Sequence, residues 1–308
     1  RRATSTLPFS WAPFSSSRFF WSWYNPSGGF TLKLLATLQE QSQIDRISSF
    51  MQISSLPEGV QLTLLTISKD RGRENEQIAD ALFHEARLKM EGLDLTFKKR
   101  KGKFANQVAE ELKKNGYDLL LLQVKRPRHP LPFIGADPII HIADRAPCSM
   151  LLLNDIPEPF QKILLCDSGS EKTLGMLDFL VRLIDDQGTE QEVTVLHVMS
   201  QIVARPGIPG KDLRSEAEKL IDKKTPEGKL LEKDLETLKR AGFLTRPKVR
   251  HGLVVDEILA EAREGEYDLV VIGAHQTGKG QALLLDNIAK KVIRNINRPL
   301  LVVNLKNA

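Results

Sequence analysis

Between Gly273 and Gly280 the chain reads GAHQTGKG. That is one residue away from G-x-x-x-x-G-K-[ST], the loop that cradles nucleotide phosphates with backbone N–H groups and a lysine. The last position of such a loop supplies a hydroxyl to magnesium, and Gly280 has none. A P-loop also opens its fold, whereas here the residues after Gly280 suffice for only one helix and one strand. That strand, PLLVVN, ends in Asn304 rather than in an acid. The match to a P-loop is therefore accidental.

The other residues capable of chemistry form no catalytic set. His84, His129, His141, His197, His251 and His275 show neither H-x-x-x-H nor H-E-x-x-H spacing. Of these, only His275 falls at the glycine-rich loop, and His197 lies within an apolar strand-like run where a structural role is expected. Cys148 and Cys166 also sit in apolar runs without C-x-x-C spacing. They read as two buried thiols in a reducing compartment, with no metal cluster. Two basic clusters, Lys98–Lys103 and Lys125-Arg126 with Arg128-His129, each end a strand-like run. They would line one sheet edge as an anion site, but no aromatic residues interleave to stack bases. A solvated basic rim is the expectation, and nucleic acid is not an expected partner.

The surrounding chain has to position these groups. Of its 308 residues 41% are apolar and 27% charged, with a net charge of +5. This is the profile of a folded protein with room for two cores. No apolar run approaches the roughly 18 residues that cross a bilayer, so a cytoplasmic protein is expected. Residues 1–30 hold all three tryptophans and no acidic residue. They read as a disordered, targeting or non-native tail and are set apart from the fold.

The strongest organisational signal is a repeat at a separation of 150 residues. Lys98–Gly102 falls on Lys248–Gly252, Tyr117-Asp118-Leu119 on Tyr267-Asp268-Leu269, and Leu151–Asn154 on Leu301–Asn304. A period this long implies duplicated domains. In the second copy, residues 160–308, strand-like runs occur at KILLCD, EVTVLHV, Arg246–His251, DLVVIG and PLLVVN. Helical stripes intervene, the longest carrying Leu230, Leu231, Leu235 and Leu238. The first copy, residues 31–155, alternates in the same way, with Thr31–Phe50 read as a helix. It then has no counterpart of KILLCD, as though truncated. Strand–helix alternation with continuous apolar strands predicts an α/β fold. The expectation is two tandem doubly wound, Rossmann-like parallel sheets, with five strands in the C-terminal copy. Met150–Leu153 and Leu300–Val303 are positioned to pair within the chain or with a second copy.

The order KILLCDSGS, TVLHV, KVRHG and DLVVIGAH…LLLDNIAKKVIRNINRPLLVV resembles the universal stress protein family. The likeness covers Phe160–Asn304 well and Thr31–Asn154 weakly. ATP-binding members of that family carry G-x-x-G-x9-G-[ST] after the fourth strand, and an Asp and a Val of the first two strands hold the nucleoside. The resemblance thus implies a pocket of Asp167, Ser168, Val198, Gly273, Gly278, Lys279, Gly280, Asn287 and Ile288. Gly273 keeps the first glycine, but Gln276, Asp286 and Asn287 replace the second glycine, the third and the Ser/Thr. A carboxylate at Asp286 would cap helix amides that otherwise bind phosphate. The implied function is a non-catalytic stress-response module with a degenerate nucleotide loop. The alternatives are an ATP-binding stress protein or a nucleotide-hydrolysing enzyme, with ATP as the implied ligand.

Overall fold

The computed structural model describes residues 32–53, 59–70, 72–123, 137–153, 160–167, 173–184, 191–199, 217–222, 224–274 and 287–305. The N-terminal half runs β1 (Lys33–Thr37), α1 (Ser42–Ile53), β2 (Gln61–Ser68), α2 (Arg73–Lys89), β3 (Asp94–Lys101), α3 (Phe104–Asn115), β4 (Leu119–Gln123), α4 (Pro138–Ala143) and β5 (Ser149–Leu153). The C-terminal half follows with β6 (Lys162–Asp167), α5 (Thr173–Ile184), β7 (Glu192–Met199), α6 (Ala217–Asp222), α7 (Pro226–Arg240), β8 (Leu244–His251), α8 (Val254–Glu264), β9 (Leu269–Ala274), α9 (Asn287–Asn295) and β10 (Leu300–Asn304).

The fold is α/β, but the strands form one ten-stranded sheet rather than two. Their order is β3-β2-β1-β4-β5-β10-β9-β6-β7-β8. Every neighbouring pair is parallel except β5 and β10, which run antiparallel with Leu151 opposite Leu301. Those two leucines are repeat counterparts, so the join lies on a pseudo-twofold axis. Apart from Ser149 and Asn304 both strands are apolar, and they would otherwise be edges of five-stranded sheets, exposing unpaired backbone groups. Pairing them inside the chain merges the two sheets. The true edges are β3 and β8, where Lys98 to Lys101, Arg246, Pro247, Lys248 and Arg250 blunt further pairing.

Ser149 Oγ accepts the Asn304 N–H at 3.1 Å, and Asn304 Nδ2 donates to the Pro147 carbonyl at 2.8 Å. Both bonds cross from one half to the other. Ser149→Ala will leave a partly buried N–H unmatched and lower stability by about 1 kcal/mol, measured by urea unfolding.

Helices cover both faces of the sheet. Residues of α1, α2, α5 and α7 pack on one face with Leu34, Leu62, Leu165 and Val195. Residues of α3, α4, α8 and α9 pack on the other with Leu35, Leu120, Leu164 and Val270. Each layer runs continuously across both halves.

Two sequence expectations need correcting. Thr31–Phe50 is not one helix, and the N-terminal half does not lack its first strand, because Lys33–Thr37 is that strand. Leu34, Leu35 and Ala36 are buried in succession because they face alternate sides of a covered sheet. Leu and Ala favour helix by propensity, and the tertiary position overrides it. The repeat itself hid the strand. Lys33 heads β1 and Lys162 heads β6, a separation of 129 rather than 150. The second half has a longer β7–β8 connection, residues 200–243 against 69–93 between β2 and β3.

The repeated Tyr-Asp pair has a structural cause. Asp118 Oδ2 accepts the Lys33 N–H at 2.8 Å, and Asp268 Oδ2 accepts those of Lys162 at 2.8 Å and Gln161 at 3.0 Å. Each aspartate thereby fixes the start of the first strand of its own half. Tyr117 and Tyr267 each donate to a buried glutamate, Glu111 and Glu261, at 2.8 Å. Residues 1–31 lie outside the described residues, so the tail reading has no structural counterpart here.

Candidate functional site

In a parallel sheet covered on both faces, ligands are received at the carboxyl ends of the strands. In the C-terminal half this edge brings together Asp167, at the end of β6, Val198 on the neighbouring β7, and Gly273 on β9. Asn287 and Ile288 open α9, and both are exposed. Ser168, Gly278, Lys279 and Gly280, with His275 and Asp286, lie outside the described residues.

Asp167 does not face solvent. Its carboxylate is 1% exposed. Thr173, the first residue of α5, donates its hydroxyl to Asp167 Oδ1 at 2.7 Å. His197, opposite Asp167 in the β6–β7 register, places Nδ1 3.1 Å from Oδ2. Both carboxylate oxygens are thus held by side chains of the same layer. His197 is half of this arrangement, beyond the packing role expected from its apolar strand.

A further acid lies behind this pair. Asp234 sits on α7, on the stripe of Leu231, Leu235 and Leu238, and is 3% exposed. Its Oδ2 is buried and has no hydrogen-bond partner among the described residues. Burial pushes its pKa up to about 7; the negative charge of Asp167 adds to the rise, while Lys233 and His197 partly oppose it. The sequence reading took this helix as a leucine stripe and passed over Asp234. The available signal was its spacing, three residues after Leu231 and four before Leu238, which places a carboxylate on the buried face. Leu230, counted in that stripe, is only partly buried.

Gly273 has a packing reason for lacking a side chain. A Cβ there would lie 2.8 Å from Leu305 Cδ1 and 3.7 Å from Met176 Sδ. Val198 turns away from Asp167 and packs in the opposite layer. Its side chain and the Asp167 carboxylate therefore do not line one cavity.

The N-terminal half differs at the same places. Counting from Lys33 and Lys162, Leu38 stands where Asp167 does. By the same register Thr66 stands where His197 does. On α2 the buried series Ala79, Leu82, Phe83, Ala86 repeats the spacing of Leu231, Asp234, Leu235, Leu238, which places Leu82 at the Asp234 position. One half carries three ionisable groups, while the other has Leu38, Thr66 and Leu82.

Lys98 and Arg100, of the first basic cluster, point largely inward to Glu111. Lys99 pairs with Asp80 at 2.6 Å. Most of that expected basic rim is thus neutralised by carboxylates, while Lys125, Arg126, Arg128 and His129 lie outside the described residues. Among the described residues no group of three His, Cys, Asp or Glu could hold a metal ion. No helix among them is long and apolar enough to cross a membrane. Cys148 and Cys166 are buried, and burial first, then the charge of Asp167, keeps the Cys166 thiol protonated.

Comparison with known proteins bears on the fold that carries this site. Residues 159–304 match the model of the universal stress protein family. Over 130 residues the chain is 27% identical to universal stress protein MJ0577 of Methanocaldococcus jannaschii, spanning 42% of this chain and 77% of that relative. Among solved structures, a universal stress protein from Archaeoglobus fulgidus DSM 4304 aligns with a TM-score of 0.61 at 14% identity. The alignment covers 89% of this chain and 98% of that one. A functionally unknown protein from Pseudomonas aeruginosa PAO1 aligns at 0.55 and 16% identity, over 88% and 92% of the two chains. These likenesses over nearly the whole chain show the fold.

Proposed function

We propose that this chain, whose residues 159–304 match the universal stress protein family, acts as a non-catalytic stress-response module. Its C-terminal nucleotide site is closed by its own side chains. The observation that carries this reading is the engagement of Asp167. The resemblance assigns the strand-ending aspartate to a nucleoside, but here Thr173 and His197 occupy both carboxylate oxygens. A nucleoside hydroxyl would have to reach a carboxylate that already holds both partners and is 1% exposed. The replacements at Gln276, Asp286 and Asn287 support the same conclusion from the phosphate side. A hydrolase would need an acid–base pair open to a ligand, and the described pair of Asp167 and His197 is turned inward.

The paired state of β10 bears on assembly. Family members that dimerise through the last strand need a free edge, and here that edge is taken by β5. The chain then works as an internal pseudo-dimer, and self-association through the terminal strands is not required.

Isothermal titration of Mg-ATP into the full chain should give no binding heat up to millimolar ligand. Micromolar binding that disappears in Gly273→Ala would overturn the closed-site reading. ATP turnover above background that is lost in Asp167→Ala would overturn the non-catalytic reading.

A further inference from the structure

The edge of the N-terminal half holds an open cleft where the C-terminal half has its buried acids. It lies at the carboxyl ends of β1, β2 and β3, beneath the first turns of α2, and has a volume of about 640 Å³. The lining has two parts. Leu38, Leu82 and Ile78 provide an apolar wall, and Ile78 is 50% exposed. Lys99, Arg100 and Lys101 provide a basic rim on β3, with the carboxylate of Glu76 opposing them.

The rim cations are not equivalent. Lys99 is paired with Asp80 at the surface and Arg100 with the buried Glu111, so each has a carboxylate partner of its own. Lys101 is exposed and has no ion pair among the described residues. One uncommitted cation thus stands on the rim of a cleft whose apolar wall meets water at Ile78. A half-exposed isoleucine over a cleft is a small unfavourable exposure that an apolar ligand body would remove. The cation would hold an acidic group at the mouth.

The carboxylate that could accept hydrogen bonds from a sugar is absent here, because Leu38 occupies the strand-end position of Asp167. We infer that this cleft binds a small amphiphilic anion, an apolar ring or short chain bearing one sulfonate, phosphate or carboxylate group. The inference is independent of whether the C-terminal site is closed, since it shares none of its residues.

The test uses 8-anilinonaphthalene-1-sulfonate, an aromatic body with one anionic group, titrated into the full-length chain and followed by fluorescence. A saturable site is expected, weakened about tenfold in Lys101→Glu by charge reversal at the rim. Ile78→Gln should weaken it about fivefold by removing apolar contact. Both positions are exposed, and a circular dichroism melt verifies that each variant is folded. Lys113→Glu, an exposed charge change on α3 away from this cleft, should leave affinity unchanged. No saturable binding, or equal effects of Lys101→Glu and Lys113→Glu, would overturn the proposal. Equal affinity for the uncharged N-phenyl-1-naphthylamine would also overturn it, because the rim would then play no part.

Discussion

Replacing Glu111 with alanine is expected to lower the unfolding free energy by about 3 kcal/mol, the lower end for breaking a buried ion pair because the cations partly reach water. Glu111 is fully buried. Its Oε1 accepts Lys98 Nζ at 2.6 Å, Asn115 Nδ2 at 2.7 Å and the Tyr117 hydroxyl at 2.8 Å. Its Oε2 accepts both Nε and Nη2 of Arg100. Alanine removes five interactions at once and leaves the Tyr117 hydroxyl buried without its acceptor. Urea unfolding at pH 7 measures the loss, and a change below about 1 kcal/mol would mean that water replaces the carboxylate.

The same site makes a prediction about acid. Burial pushes the Glu111 pKa up, but hydrogen bonds from Lys98, Tyr117 and Arg100 outweigh it and hold the carboxyl below its ordinary value. A carboxylate with a depressed folded pKa stabilises fully above its unfolded value and loses that contribution as pH falls. The gap between wild type and Glu111→Ala should therefore narrow below about pH 4. Glu261 repeats the arrangement with Tyr267, Arg250 and, at 3.7 Å, Lys248.

Asp234→Asn is expected to act in the opposite sense and stabilise the protein by about 2–3 kcal/mol at pH 8. Asp234 is buried with an unmatched oxygen, and ionising it is opposed by burial and by Asp167. His197 and Lys233 offset only part of that. Its pKa rises from the ordinary 3.8 to about 7. The folded state then holds a proton that the unfolded state releases, so stability falls as pH rises between about 4 and 7. The advantage of asparagine should shrink as pH falls and vanish only below about pH 4, where the acid is protonated in the unfolded chain as well. Thermal melts of both proteins from about pH 4 to 8 read this directly. A difference that does not vary with pH would show that Asp234 ionises as readily in the folded protein as in the unfolded chain, and would overturn the prediction.

Much of the architecture was legible in the chain. Runs such as LLLLQ and KILLCD can bury side chains on both faces only as covered parallel strands, and the repeat at 150 residues marked two copies. The same repeat misled at the first strand, because an insertion ahead of β8 changes the separation. At the site, Gly273 and Asp167 were identifiable from their places at strand ends. Glycine at 273 looked like a ligand residue, but a side chain there would meet Leu305 and Met176, which no local pattern could supply.

The sequence by itself determined the α/β class, the duplication, the departures from a phosphate loop and the strands able to pair across the halves. These follow from local hydrophobic period and residue chemistry, which neighbouring positions carry. Only the tertiary structure decided that β5 and β10 merge the copies into one sheet. It alone showed that Thr173 and His197 take up the Asp167 carboxylate, and that Asp234 is buried behind them while the other half holds an open cleft. Those outcomes depend on which side chains meet across distant elements, and burial there sets both the charge of an acid and its access to a ligand.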